Sequence, residues 1–521
     1  MHSHRRLKMT VLSAVLALGL VAPGVAQTDE AAAEHPGLGV FVQAANPDPV
    51  KADAALQQLA GSWKDGYAAM LIDMMRLMPG SSPRRRAGGT DAGSMESGAG
   101  SSGGPSGGGV DTATAQRGTP GSGGGGGPGG PGGQPASPIR LRLAGFLEQQ
   151  TGNKFGDDLD RWRHWLWSKE YEPHPDYPVF KGGLYGNIDR GFREFFPPGV
   201  TTKIRLDQID WGGVRVNGVP LLDHPKHVSA RAAGYLKDKN VVFGIVVNGE
   251  ARAYPKRILA WHELARDRLG DVELAIVYCT LCGTVIPYDS QAGGQQYTFG
   301  TSGLLYRSNK LMFDEETDSL WSTVYGKPVV GPLAQTQLQL TSYPVVTTTW
   351  GEWKAVHPDT TVLSIPTDFD KDYREGAAYK EYFKHDRLMF AVPETDKRLK
   401  NKAEVLVLPH TTRDPAAGPP LAIAAALLGK QKLMELEHGG KRLLVLTSAG
   451  GANRVYDVGD QSFKSWLDGR HVEDAAGGSW TVTEEALIAD NDQGGSLPRL
   501  PAHRAFWFGW YAAHPDTKLV K

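Results

Sequence analysis

Cys279 and Cys282, three positions apart, are the residues whose type and spacing could carry chemistry in this sequence. A Cys-x-x-Cys pair can close a small disulfide and lower the pKa of one thiol, which suits thiol–disulfide exchange. It can also supply two thiolate ligands to a metal ion, or act as an inert staple in a turn. The chain has 2 Cys in all, so four-cysteine zinc and iron–sulfur sites are excluded. Exchange, metal binding and a structural disulfide remain open.

A metal site would need ligands from elsewhere in the chain. His262 is one candidate, although Cu(I) is soft enough to be held by two sulfurs alone. The segment that begins at His262 and Glu263 has Arg266 where a zinc protease motif has its second His. Neither a defined set of metal ligands nor a cofactor is therefore predicted.

Five further residues are candidates for lining a pocket around the cysteines. They are His262, Tyr278, Arg307, Asn309 and Asp314. Within this set, His262 and Arg307 could stabilise a thiolate. A solvated hairpin explains the polar cluster of Arg307, Asn309, Lys310 and Asp314 equally well.

The elements that must position the cysteines come next. The apolar segment 272–278 predicts a buried strand that fixes the cysteine loop, with the two Cα atoms within about 7 Å of each other. Upstream, Asn248-Gly249 predicts a hairpin turn, and residues 255–267 predict a helix. From residue 204 onward the pattern indicates an α+β fold with a β-rich core.

The sequence contains an internal repeat. The pattern W-x-x-W-x-x-x-H-P-D-T begins at Trp350 and again at Trp507. In the matching register, Cys279 falls on Thr447 and Cys282 on Gly450. We therefore predict two duplicated lobes, 204–365 with the cysteines and 366–521 without them.

Four segments are predicted before these lobes. Residues 1–26 have the basic and apolar regions of a signal peptide. Residues 27–79 are predicted to be helical, with apolar residues at helical spacing over 53–78. Residues 80–138 are so rich in Gly, Ser and Pro that a disordered linker is expected. Residues 139–203 predict a small, aromatic-rich helical domain.

Composition limits the partners and the location. The net charge is -1, which argues against nucleic acid as a partner because such proteins need a basic excess. The signal peptide predicts export to the periplasm or beyond, and its cleavage would leave no transmembrane anchor. A redox or binding partner is expected, but the sequence does not identify it.

Several motifs resemble one protein family. The sequence is similar to the bacterial domain-of-unknown-function family 3179 from about residue 204 to the C-terminus. The resemblance is carried by 242–255, Trp261-His262-Glu263, 278–283, 299–303, 306–310 and 349–360. Some members of that family look like selenoproteins, with selenocysteine in place of one cysteine of the pair. The resemblance implies redox chemistry at Cys279 and Cys282.

Two hypotheses about function follow. The first is an exported protein that performs thiol–disulfide redox chemistry through Cys279 and Cys282. The second is a non-catalytic binding or metal-handling module, in which the pair forms a structural disulfide or holds copper or zinc.

Overall fold

The computed structural model describes residues 35–78, 136–365, 367–409, 418–466, 469–491 and 495–521. The predicted signal peptide lies outside these ranges, as do residues 80–135 of the predicted linker. Residues 136–138 are described, and Pro138 is already the first residue of a helix. Within the described ranges, no helix is both long and apolar enough to cross a membrane.

Six helices come first among the described residues. They are α1 Leu38–Ala44, α2 Pro49–Gly61, α3 Tyr67–Leu77, α4 Pro138–Thr151, α5 Leu159–Trp167 and α6 Tyr177–Gly186. The side chains of Asp48, Ser137 and Asp158 accept backbone N–H groups at the starts of α2, α4 and α5, which satisfies donors that a helix leaves free. The helices share one apolar core with strand residues such as Leu304 and Phe313.

The strands up to residue 363 form three principal sheets. Their bounds are β1 Ile209–Trp211, β2 Leu222–Asp223, β3 His227–Ser229, β4 Val241–Val247, β5 Glu250–Pro255, β6 Leu264–Leu269, β7 Val272–Cys279, β8 Thr284–Asp289, β9 Gln291–Ala292, β10 Gln295–Gln296, β11 Phe299–Tyr306, β12 Asn309–Asp314, β13 Leu320–Ser322, β14 Lys327–Val330, β15 Val346–Thr349 and β16 Thr361–Leu363. The sheet orders are β15-β4-β5-β16-β3, β2-β6-β7-β8 and β1-β11-β12-β13-β14. Helix α7 is Lys256–His262 and α8 is Trp350–Val356.

The remaining strands form two more sheets. Their bounds are β17 Glu404–Leu408, β18 Leu421–Ala424, β19 Leu433–His438, β20 Lys441–Thr447, β21 Asn453–Asp457, β22 Phe463–Trp466, β23 His471–Asp474, β24 Ser479–Val482, β25 Ala486–Ala489, β26 Ser496–Leu500, β27 His503–Phe506 and β28 Lys518–Val520. The sheet orders are β27-β17-β18-β28 and β19-β20-β21-β26-β25-β24-β23-β22. The helices here are α9 Lys380–Phe383, α10 Ala425–Lys430 and α11 Trp507–Ala513. The α+β prediction with a β-rich core is confirmed.

The predicted helix over 255–267 is wrong in its second half. Helix α7 ends at His262, and Glu263 has a left-handed backbone with φ 58°. The chain then enters strand β6, which pairs with β7 along its whole length. Pairing with the next strand, across the tight turn at Gly270 and Asp271, overrides the local helical tendency of this segment.

The regions before and after residue 366 contact each other through their Trp-containing helices. The backbone N–H of Phe506, at the end of β27, donates to the carbonyl of Cys282 at 2.7 Å. A second contact joins the same two regions. The Glu352 carboxylate on α8, before residue 366, accepts hydrogen bonds from the Ser448 hydroxyl and the Gly450 N–H, which lie after it. The cysteine loop is therefore completed by residues far along the chain.

Candidate functional site

Cys279 and Cys282 form a disulfide in the turn between β7 and β8. Their Cα atoms are 5.4 Å apart, as predicted for a pair that can bridge. The turn passes through Gly283, whose φ of 61° lies in the left-handed region that favours glycine. Cys279 is 4% exposed and Cys282 is 0% exposed, so the disulfide lies inside the protein.

Hydrogen bonds from three separate parts of the chain hold this turn. The Thr280 hydroxyl donates to the carbonyl of Ala260 at 3.4 Å. The carbonyl of Leu281 accepts from the Tyr382 hydroxyl at 2.9 Å, and that of Cys282 accepts from the Phe506 N–H. The turn is thus fixed by contacts that do not involve the sulfur atoms.

Helix α11 closes one side of the disulfide. A Cβ atom at Gly509 would lie 2.7 Å from the Cβ of Cys282, a separation that real Cβ atoms do not adopt. The Gly509 carbonyl also accepts a hydrogen bond of 2.9 Å from the Asn309 side-chain amide. Glycine at position 509 is what allows the helix backbone to reach the cysteine loop.

A long connection covers the other side. We call residues 367–403 the strap; its one α-helix among the described residues is the single turn α9. Tyr382 belongs to the apolar cluster of Cys279 and Cys282, and Tyr379 packs against that cluster. Connections of this length with so little regular structure are uncommon in compact domains, where they are usually either functional loops or linkers.

An ion pair, buried at Lys310 and part-buried at Glu263, lies next to the strap residue Tyr379. The Lys310 ammonium is 3.0 Å from a Glu263 carboxylate oxygen, and the Tyr379 hydroxyl donates to the other oxygen at 3.1 Å. Lys310 is 4% exposed. Burial lowers the pKa of Lys310, and the Glu263 carboxylate opposes that shift. The same carboxylate, together with burial, raises the pKa of Tyr379 well above its ordinary value.

His262 lies close to these residues in sequence, but its side chain is engaged elsewhere. Nδ1 is 2.7 Å from the carbonyl of Pro220, and Nε2 is 2.5 Å from the Tyr373 hydroxyl. A neutral ring that donates from Nδ1 and accepts at Nε2 satisfies both contacts. Burial lowers the pKa of His262 to about 4. At neutral pH this histidine therefore carries no charge that could stabilise a thiolate.

Tyr278 points away from the disulfide. Its ring belongs to an apolar cluster with Phe243, whereas Val277 packs on the opposite face of β7, the face that alternation also assigns to Cys279. Its hydroxyl is buried and has no hydrogen-bond partner among the described residues. Burial raises the pKa of Tyr278, and the Glu404 and Glu263 carboxylates add to that shift.

The other three predicted residues lie along β12 and its preceding turn. The Asn309 side-chain amide donates to the carbonyl of Gly509, the residue that contacts Cys282. The Oδ1 atom of Asn309 is buried without a partner among the described residues. Arg307 donates to the Gln208 side chain at 2.7 Å and to the carbonyl of Ala512 at 3.0 Å. Both contacts bind the turn to neighbouring elements.

Asp314 lies at the far end of β12. Its carboxylate accepts from Thr317 and from the indole N–H of Trp321, which ties together the turn after β12. Burial raises the pKa of Asp314. Asn309 is therefore the predicted pocket residue that the structure brings to the cysteines most directly.

Apart from Lys310, which belongs to the polar cluster named above, sequence reasoning did not select the residues that surround the cysteine loop. Glu263, Lys310, Tyr379, Tyr382 and Gly509 are separated in the chain by up to 246 positions. Glu263 and Lys310 do lie inside the motifs shared with the resembled family, which was the available signal for them. Within the described ranges, no group of three or more His, Cys, Asp and Glu side chains could hold a metal ion.

The fold and the site define an α+β protein whose β-rich core encloses a Cys-x-x-Cys disulfide. Residues 216–517 match the family model described as "Protein of unknown function (DUF3179)". This match covers more than half of the chain, so the protein belongs to that family. No curated protein and no solved structure matched the chain.

Proposed function

We propose that this protein performs thiol–disulfide exchange through Cys279 and Cys282. The observation that carries the proposal is the independent support of the cysteine turn by Ala260, Tyr382 and Phe506. Because these contacts hold the turn without the sulfurs, the disulfide can open and close while the fold persists. If its only role were to stabilise the fold, a disulfide at this position would contribute little to the free energy of unfolding.

The size of the closed loop supports this argument. Cross-linking residues three apart removes little entropy from the unfolded chain, and the chain-entropy relation gives about 2 kcal/mol. Disulfides that close long loops contribute more. Thiol–disulfide exchange therefore explains the placement of the cysteine pair better than a purely structural role does.

The reaction needs a substrate disulfide or dithiol. In the reducing direction, the Cys279 thiolate attacks one sulfur of the substrate disulfide, forms a mixed disulfide and releases one substrate thiolate. The Cys282 thiol then loses its proton and attacks the Cys279 sulfur, which restores the internal disulfide and releases the second thiolate. Two electrons pass from the cysteine pair to the substrate. Cys279 takes the first role because it is the more exposed of the two.

Access to Cys279 requires the strap to move. Tyr382 binds the cysteine turn through one neutral hydrogen bond, and such bonds contribute about 1 kcal/mol net. The strap also carries Phe369 and Met389, two of the large exposed apolar side chains. Tyr379 and Tyr373 hold other parts of the strap at Glu263 and His262, so access requires a local displacement of the strap around Tyr382.

We further propose export as the setting of this chemistry. The basic and apolar segments of residues 1–26 support a cleaved signal peptide. Exported compartments are oxidising, so an exchange-active disulfide would meet other disulfides there.

We also propose that the two lobes arose by duplication. The sheets β15-β4-β5-β16 and β27-β17-β18-β28 have the same order of pairing, antiparallel, antiparallel and parallel. The antiparallel sets β6-β7-β8 and β19-β20-β21 follow α7 and α10 in the same way. Both observations support the repeat seen at Trp350 and Trp507.

A redox titration tests the proposed exchange. The purified protein is equilibrated with mixtures of reduced and oxidised dithiothreitol, its free thiols are counted by alkylation and mass, and its fold is followed by circular dichroism. We expect a reduction potential above the roughly -300 mV that bounds structural disulfides, with the fold retained after reduction. Cys282→Ser should trap a mixed disulfide on Cys279, and Cys279→Ser should trap none at position 282.

Two results would contradict the proposal. A disulfide that is reduced only when the protein unfolds would be structural. A reduced protein that retains one equivalent of copper or zinc, and loses it in Cys279→Ser, would favour metal handling instead.

A further inference from the structure

Lys310 shares a buried layer with Cys279. Directly across the strand pair, Lys310 faces Leu305, and Leu305 belongs to the apolar cluster that contains both cysteines. Met312, on the same face of β12 as Lys310, packs in a cluster with Val277 of β7. The same faces of β7 and β12 therefore carry Cys279 and Lys310 into the space between their two sheets.

The Lys310 charge is connected to the cysteine loop by the backbone as well. Its partner Glu263 follows α7 directly, and the Glu263 carbonyl accepts the N–H of Tyr278, the residue before Cys279, at 2.8 Å. Tyr379 joins the same carboxylate from the strap. A second cation, Lys402, lies over the Tyr382 ring at 3.3 Å from its centre, and its ammonium contacts strap carbonyls.

Burying the Lys310 charge in the same layer as a disulfide needs an explanation. Two charges removed from water cost several kcal/mol each, and an apolar pair of similar volume is often as stable. The disulfide itself carries no charge that Lys310 could neutralise. On reduction, however, a thiolate at Cys279 would place a negative charge in this layer.

We propose that Lys310 is the positioning residue that stabilises the Cys279 thiolate after the disulfide is reduced. The inference rests on the proposed exchange function and specifies which charge activates its nucleophile. When a dithiol reduces the disulfide, two electrons and one proton enter the pair and leave Cys279 as a thiolate and Cys282 as a thiol. The Lys310 ammonium then faces two anions, the thiolate and Glu263, instead of one.

The test is the pH dependence of thiol alkylation in the reduced full-length protein. Iodoacetamide reacts with thiolates, so its rate at Cys279 follows the ionised fraction. In Lys310→Met we expect the midpoint to move up by at least one pH unit, which slows alkylation at pH 7 about tenfold. A role for Lys310 in folding alone would leave this midpoint unchanged.

A second variant guards against misfolding. Lys310→Met leaves the part-buried Glu263 carboxylate without its counterion, and breaking an ion pair that is largely removed from water is destabilising. The double variant Lys310→Met/Glu263→Gln removes both charges and should fold better. Its midpoint should lie above the wild-type value but below that of Lys310→Met, because the Glu263 charge that opposes the thiolate is also gone. A folded double variant whose midpoint equals that of the wild type would overturn the inference.

The inference and the exchange function fail in different ways. If the wild-type disulfide cannot be reduced in the folded protein, exchange itself is wrong. If the disulfide is reduced normally but the midpoint of alkylation is unchanged in the Lys310 variants, the exchange function stands and the role assigned to Lys310 is wrong.

Discussion

Gly509 illustrates how a single residue determines the environment of the cysteines. It lies inside α11, where glycine is unfavourable compared with alanine. Its missing side chain lets the helix backbone contact Cys282, and a methyl group there would overlap the Cys282 Cβ. The cost in helix propensity is therefore offset by a close contact that encloses the disulfide.

Gly509→Ala should lower the free energy of unfolding by about 1–3 kcal/mol, the usual cost of overpacking a core. The matched control is Gly145→Ala in α4, where a new Cβ meets nothing within 4 Å. That change should raise stability by roughly 0.5–1 kcal/mol through helix propensity. Urea unfolding measures both; equal effects of the two substitutions would show that Gly509 has no special contact.

At this scale the sequence identifies the cysteines but not their electrostatic environment. The spacing of Cys279 and Cys282 is a local signal, and the disulfide it permits is present. His262 is the obvious nearby base, yet its ring is neutral and hydrogen-bonded on both sides, whereas its neighbour Glu263 joins the charged cluster. Which of two adjacent polar residues turns toward a site depends on where the helix ends, and that depends on the pairing of β6.

The strap is the element whose role is least visible in the sequence. Its aromatic residues have helical spacing only around the single turn α9, and along the strap they contact two different structures. Tyr373 reaches His262, while Tyr382 reaches the carbonyl of Leu281.

The N-terminal helices also end where the sequence does not indicate. The apolar spacing over 53–78 continues across a break, since α2 ends at Gly61 and α3 begins at Tyr67. Periodicity predicts which faces are buried, but long-range contacts decide where each element ends.

Tyr382→Phe should accelerate reduction of the disulfide by dithiothreitol about fivefold. The reason is the loss of one hydrogen bond between strap and turn, worth about 1 kcal/mol, if opening precedes the attack on Cys279. The matched control is Tyr185→Phe, which removes a buried hydroxyl bonded to the carbonyl of Ile209 away from the strap. The control should lose similar stability and keep the wild-type rate. Equal rates in all three proteins would mean that the strap does not control access.

The whole molecule depends on contacts exchanged between its two proposed lobes, residues 204–365 and 366–521. Phe506 and Gly509 enclose the cysteine loop of the first lobe, and Glu352 binds the matching loop at Ser448 and Gly450 in the second. The sequence repeat predicts that the lobes resemble each other, but a repeat carries no information about how its copies pack. The environment of the disulfide is therefore a property of the assembled chain.

Separating the lobes should expose the disulfide. We expect the fragment 27–365, produced alone, to react with dithiothreitol much faster than the whole protein, because it lacks the strap, Phe506 and Gly509. Adding the fragment 366–521 should restore the slow rate and yield a one-to-one complex on size exclusion. The control is the fragment 366–521 that carries Gly509→Leu. The larger side chain cannot fit beside Cys282, so this fragment should fail to slow the reaction. If 27–365 alone already reacts as slowly as the intact chain, the first lobe protects its disulfide without help, and the exchanged contacts serve assembly rather than access.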